Sequence, residues 1–242
     1  MRIVVASPPR AGNHWIKCLL ASAYGLHQIN GRNKPVGKRR DVRREGADLD
    51  MPDTSIFHQH CVYSRDVVDA WIGLPAHVVT IIRDPYDIFL SYYRWSQEQP
   101  VLKIHRKGEL FQKRDHPREQ MVGKPLDSPQ TLDYLAGGFE QIMRRAVRWS
   151  RDDRVLVVRY EHLHADPAAE LERLTTLIEP VSAKRIERAV RKCSIENMRV
   201  LQPQTVKVGA VGRSRDELTP EHLRIFRTHY GHMIRDLGYD VL

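Results

Sequence analysis

The chain has 242 residues, 41% of them hydrophobic, which allows one large α/β domain or two small ones around a buried core. It contains no run of about 18 apolar residues to cross a membrane. Its start also lacks the charged region, apolar stretch and small-residue site of a signal peptide. A net charge of +9 calls for an anionic partner, and either a nucleic acid or a polyanionic small molecule drawn into a cleft would answer it.

The first predicted element is a strand over Arg2–Ser7. It gives way at Ser7-Pro8-Pro9-Arg10-Ala11-Gly12-Asn13-His14-Trp15 to a bend and then a helix, His14–Leu26, with Trp15, Ile16, Leu19, Leu20 and Ala23 at helical spacing. A bend that opens a helix aims unpaired N–H groups and the positive end of the helix dipole at whatever it holds. Gly12 permits close backbone approach, and Arg10 adds a charge with a planar donor fork. Residues 27–53 are polar and basic, with a cationic run at Lys34–Arg44, and read as loop.

A short strand, Ser55–Cys61, follows. It carries His58 and His60, two apart and so on one face. One imidazole is expected to act as a general base and the other to be a structural, hydrogen-bonded histidine, whereas zinc would need a third ligand that no nearby Cys or Glu pattern supplies. Val67–Leu74 reads as a short helix. His77–Ile82 is a continuous β-branched run, expected of a strand buried on both faces. It ends at Arg83-Asp84-Pro85, where Asp84 predicts a cap, Pro85 the first helical position and Asp87 a side chain reaching back as in a capping box. The helix continues through Ser91 towards Trp95. A charge at a buried strand end needs a partner, and Arg83 with Ser91 makes a second anion site.

Residues 97–128 are a long basic excursion that includes the cluster Lys103–Arg118. A helix over Leu132–Ser150, a strand over Arg154–Tyr160 and helices over Pro167–Ile178 and Ala183–Lys192 come next. The glycine-punctuated loop Pro203–Arg215 contains Lys207 and Gly209. A last helix starts at Thr219-Pro220 and ends at Gly238. Cys18, Cys61 and Cys193 are odd in number and far apart, which predicts reduced thiols in a cytoplasm.

Strands alternating with helices predict an α/β fold, a central parallel sheet covered on both faces, as one domain over residues 1–242. Ligands in such sheets sit beyond the carboxyl ends of the strands, where Ser7, Arg10, His58, His60, Arg83 and Tyr160 fall.

Taken together and in this order, these elements resemble the cytosolic-type sulfotransferases, which use 3′-phosphoadenosine 5′-phosphosulfate (PAPS). The family's Pro-Lys-Ser-Gly-Thr-Thr-Trp is matched by Pro9 to Trp15, and its Arg-x-Pro-x-Asp-x-x-x-Ser by Arg83, Pro85, Asp87 and Ser91. Tyr160-Glu161-His162-Leu163 stands for Tyr-Glu-Asp-Leu, and Ser194 to Met198 for Ser-Phe-x-x-Met. Lys207 to Gly212 stands, weakened, for Arg-Lys-Gly-x-x-Gly, and His58-Gln59-His60 for Lys-Thr-His.

The resemblance implies a fold like that of the P-loop NTPases, and PAPS as co-substrate without a metal. Arg10 and the amides of Ala11, Gly12, Asn13 and His14 would hold the 5′-phosphosulfate. Trp15 would stack on adenine, helped by Tyr160, Cys193 and Ser194. Arg83, Ser91, Lys207 and Gly209 would hold the 3′-phosphate. His60 would deprotonate the acceptor, with His58 bridging the sulfuryl group or orienting His60. The implied partner is a small-molecule or carbohydrate hydroxyl, with no nucleic acid and no membrane; oligomeric state stays open.

The departures are arginine for lysine at position 10, Asn13 and His14 for two threonines, and His58 for lysine. A small-molecule or nucleotide kinase is the first alternative, but its Gly-Lys-Ser/Thr ending is missing. The second is a basic nucleic-acid-binding protein without catalysis, which would interleave arginines with aromatics on a surface.

Overall fold

The computed structural model describes residues 1–29, 51–98, 117–201, 211–212 and 214–242, with the backbone alone at 103–106, 109–112, 201 and 215. The described chain forms two compact units. One comprises Met1–Arg83 and Arg145–Val211, the other Asp84–Arg144 and Gly212–Leu242.

The first unit is built on five strands, β1 (Arg2–Ala6), β2 (His27–Gln28), β3 (Ser55–Gln59), β4 (Ala76–Ile82) and β7 (Leu156–Arg159). All are parallel, in the order β2-β3-β1-β4-β7. The four strands predicted from sequence are present within a residue or two; the two-residue β2 is an addition at the edge. Pairing runs Arg2 opposite Ser55 to Ala6 opposite Gln59, and Val79 opposite Leu156 to Ile82 opposite Arg159. Parallel registry therefore brings the carboxyl ends of β1, β3, β4 and β7 to one edge.

Alternation sorts β1 between two faces. Val4 and Ala6 join Phe57, Val67, Val68, Trp71, Val78, Trp149 and Val155 in one core cluster, where the indoles of Trp71 and Trp149 stack 5.7 Å apart. Each such fully buried side chain contributes about 1.5–3 kcal/mol. The opposite face takes Ile3 and Val5, both buried, and the helix α1 (Asn13–Tyr24) runs antiparallel to the strands. Its predicted stripe, Trp15, Ile16, Leu19, Leu20 and Ala23, is buried throughout.

Two of the three cysteines depart from the predicted thiols. Cys18 on α1 and Cys193, which closes the helix Ala183–Lys192, form a disulfide across 175 residues, with Cα atoms 6.0 Å apart. Spacing along the chain could not reveal this, because the pairing exists only once α1 and that helix lie side by side. Cys61 is not disulfide-bonded.

The second unit contains the helix Pro85–Glu98, an antiparallel hairpin of β5 (Lys103–Arg106) with β6 (Glu109–Gln112), and the C-terminal helices. The hairpin falls within the excursion that sequence left without structure. Asp84 caps as expected, accepting from the N–H of Tyr86 at 2.8 Å. The carboxylate of Asp87 accepts from the N–H groups of Gly212 at 2.8 Å and Ser214 at 3.2 Å, a pairing across the chain that sequence did not suggest. The predicted helix Leu132–Ser150 is broken by a wider π turn at Tyr134–Gly138, and the last helix by another at Phe226–Tyr230. Phe89, Phe139 and Phe226 meet edge to face at 5.5–5.8 Å, the arrangement that the ring quadrupoles favour.

Candidate active site

The bend between β1 and α1 is braced from inside. Asn13 is buried; its side-chain oxygen accepts from the Ser7 hydroxyl, and its Nδ2 donates to the Pro8 carbonyl at 3.0 Å. The N–H of Ser7 reaches Gln59 O at 3.3 Å, tying the loop to β3. Both polar ends of the Asn13 side chain are thus bonded to the loop, so that residue shapes the bend.

Arg10 and Gly12 both have positive φ, 69° and 112°. The second admits only glycine, since a Cβ there would lie 2.7 Å from Cδ2 of Tyr160. Gly12 caps α1, and no acidic residue occupies the helix's first turn. The N–H groups that a helix start leaves unpaired and its positive dipole end accordingly meet no carboxylate from the helix's own first turn. The guanidinium of Arg83 donates to the Arg10 carbonyl at 3.4 Å and lies 4.3 Å over the Tyr160 ring.

Three imidazoles gather beside this bend. The rings of His14 and His58 are 4.5 Å apart, and those of His58 and His60 are 5.5 Å apart. Burial drives the His14 pKa down to about 4, with Lys17, His60 and Arg10 adding to the effect. Burial likewise lowers His58 to about 3, helped by His14, Lys17 and His60. His60 is also lowered, chiefly by the dense protein around it; the Ser7 carbonyl opposes that, while Arg145 and Arg10 reinforce it. All three are neutral near pH 7.

His60 Nδ1 lies 2.9 Å from Ser7 O. A carbonyl can only accept, so Nδ1 carries the proton and Nε2 keeps its lone pair, the tautomer of a base. Cations surround the group. Lys17, one helical turn beyond His14, is 4% exposed, and burial lowers its pKa. Arg145 has a buried Nε with no hydrogen-bond partner among the described residues. Sequence reasoning passed over both Lys17 and Arg145. Lys17 was visible as a lysine set in an apolar helical stripe three residues after His14; Arg145 left no signal.

The aromatic group expected to hold adenine is also brought together. Trp15 donates from its indole to Cys193 O at 2.8 Å and meets Tyr160 edge on at 5.9 Å. His164, which sequence reasoning did not select, faces both rings. Ser194 is half-buried beside Cys193 and accepts from the N–H of Asn197 at 3.3 Å. Ser91 is half-buried on the helix Pro85–Glu98 of the second unit. Lys207 and Gly209 lie outside the described residues. Among the described residues, no group of three or more His, Cys, Asp or Glu is arranged to hold a metal ion, and no helix is long and apolar enough to cross a membrane.

A parallel sheet, a glycine-capped cationic bend and imidazoles at the neighbouring strand end define a class, and comparison with known proteins gives it its family. The chain belongs to the sulfotransferase domain family, which it matches over residues 1–238. It is 24% identical over 221 residues to cytosolic sulfotransferase 17 of Arabidopsis thaliana, covering 82% of this chain and 59% of that protein. With cytosolic sulfotransferase 16 of the same plant the identity is 23%, over 82% and 61%. The chain therefore spans about three-fifths of the length of these curated relatives.

Among solved structures it resembles mouse sulfotransferase SULT7A1 complexed with PAP. The TM-score is 0.69 at 16% identity, covering 97% of this chain and 84% of that one. Retinol dehydratase in a complex with retinol and PAP matches at a TM-score of 0.62 and 13% identity, covering 100% and 82%. The fold is thus the P-loop-NTPase-like α/β fold of the sulfotransferases.

Proposed function

We propose that the protein is a cytoplasmic, PAPS-dependent sulfotransferase, acting as one domain on a hydroxyl of a small-molecule or carbohydrate acceptor. One observation carries the reading: a glycine-capped, acid-free helix start with Arg10 in its bend stands beside His60, whose tautomer leaves Nε2 basic. The donor set fits the co-substrate, being cationic and rich in backbone N–H, as a phosphosulfate requires.

In this reading Arg10 and the amides of residues 11–14 receive the 5′ end. Trp15, Tyr160 and the Cys193-Ser194 turn receive adenine. Arg83 is assigned to the 3′-phosphate, and Ser91, Lys207 and Gly209 are assigned to it by their motifs alone. The co-substrate supplies the sulfuryl group: its S–O bond to phosphate breaks, keeping the electron pair on the phosphate, as sulfur bonds the acceptor oxygen. His60 Nε2 takes the hydroxyl proton, which strengthens the attacking oxygen. His58, neutral and in ring contact with His60, orients it. Acceptors of this kind are supported by a relative of the fold bound to retinol. Cytoplasmic action rests on the names of the two plant relatives; the Cys18–Cys193 bond is shielded there by burial.

Calorimetric titration with adenosine 3′,5′-bisphosphate (PAP) tests the reading. We expect tight binding that is lost in Arg83→Ala. His60→Ala should keep that binding while turnover of labelled PAPS across a panel of hydroxyl acceptors falls about 10²–10⁴-fold. No PAP binding, together with strong salt-sensitive binding to RNA or DNA, would overturn it.

A further inference from the structure

Lys17 is a charge of the first unit that the donor-site reading leaves unused. The residue is 4% exposed, and among the described residues it has no ion-pair or hydrogen-bond partner. Buried ammonium groups are costly unless paired, and the groups facing it offer no negative charge. They are His14, one turn earlier on α1, and His58 on β3, both held neutral, with the Arg10 guanidinium further along the bend. Side chains on a helix lean towards its N-terminus, so Lys17 leans back towards the Arg10–His14 bend. The carboxyl end of β3 itself carries only neutral imidazoles.

Resting on the donor-site reading above, we propose that Lys17 is a further catalytic residue, whose ammonium binds a sulfuryl oxygen of bound PAPS and supplies the positive charge that His58 does not carry. The arriving anion is then the missing counter-charge. Arg10 serves the phosphate side of the breaking bond and Lys17 the sulfuryl side. A charge at that place stabilises the equatorial oxygens of an in-line transfer without any metal.

The distinguishing feature is selectivity between two nucleotides that differ by the sulfuryl group. PAP and PAPS are titrated calorimetrically into the full chain, into Lys17→Met and into Lys17→Arg, without acceptor. We expect Lys17→Met to weaken PAPS at least ten-fold and PAP less than two-fold, and Lys17→Arg to restore most of the difference. Lys17→Met should melt at or above the temperature of the unmodified chain, because an unpaired buried ammonium has been replaced by an apolar chain of similar length. A merely structural lysine would lower the melting temperature and leave the PAPS-to-PAP ratio unchanged. Should Lys17→Met not fold, Lys17→Gln carries the same comparison. Equal weakening of both nucleotides, or of neither, overturns the proposal. Failure of the unmodified chain to bind either one overturns the donor-site reading beneath it as well.

Discussion

The two compact units bury different things. The first places an arginine, a lysine and three imidazoles around one bend, at the carboxyl edge of its sheet. The second fills its interior with rings, Phe226 lying against Tyr86, Phe89, Phe139 and Tyr230. Ring clusters of this kind gain stability from area and quadrupole geometry. A set of neutral imidazoles beside cations gains little until an anion arrives. The rings of the second unit therefore serve stability and the bend of the first serves chemistry, and substitutions should separate the two.

The largest expected effect is on the aromatic side. Phe226→Ala should lower the unfolding free energy by about 3–5 kcal/mol, read from urea denaturation. A midpoint equal to that of the unmodified chain would break the contrast. Next comes the disulfide, which belongs to the first unit and staples α1 at the point where Trp15 meets Cys193. Reducing it should cost about 2–5 kcal/mol, since it closes a long loop in the unfolded chain. Dithiothreitol should have no such effect on a Cys18→Ala/Cys193→Ala double variant, and an equal loss in both would sink the assignment.

The smallest effect sharpens the polar side. His14 and His58 titrate near 4 and 3 in the folded chain against 6.5 when unfolded. The unfolded chain therefore binds more protons below pH 6.5, so this stability is present above that pH and is lost as pH falls towards 4. Lys17, Arg10 and His60 face the pair and hold the shift in place. Melting temperature should fall between pH 6.5 and 4, and His58→Asn should flatten that fall. A melting temperature that climbs over the same interval would show the imidazoles charged in the native state.

Much of this was written locally. The β-branched run at residues 77–82 could only be a strand buried on both faces. Asp84-Pro85 set the start of a helix, and Gly12 held a bend whose φ of 112° no other residue tolerates. Periodicity and turn chemistry act over a few residues, so they survive in sequence, and Arg10, His58 and His60 could be named because each sits at such a boundary.

Pairings across the chain were not legible. The Asp87 carboxylate accepts from the amides of Gly212 and Ser214, 125 and 127 residues further on. Cys18 found Cys193, and the π turns at Tyr134–Gly138 and Phe226–Tyr230 broke two helices whose periodic pattern ran on unbroken. Sequence alone determined the order of strands and helices and the residue types at the strand ends, because those follow from forces between near neighbours. Only the tertiary structure decided which imidazole bonds Ser7, which thiols join and which lysine is left buried without a described counter-charge. Those depend on groups far apart in the chain being packed together, and on how much water that packing removes.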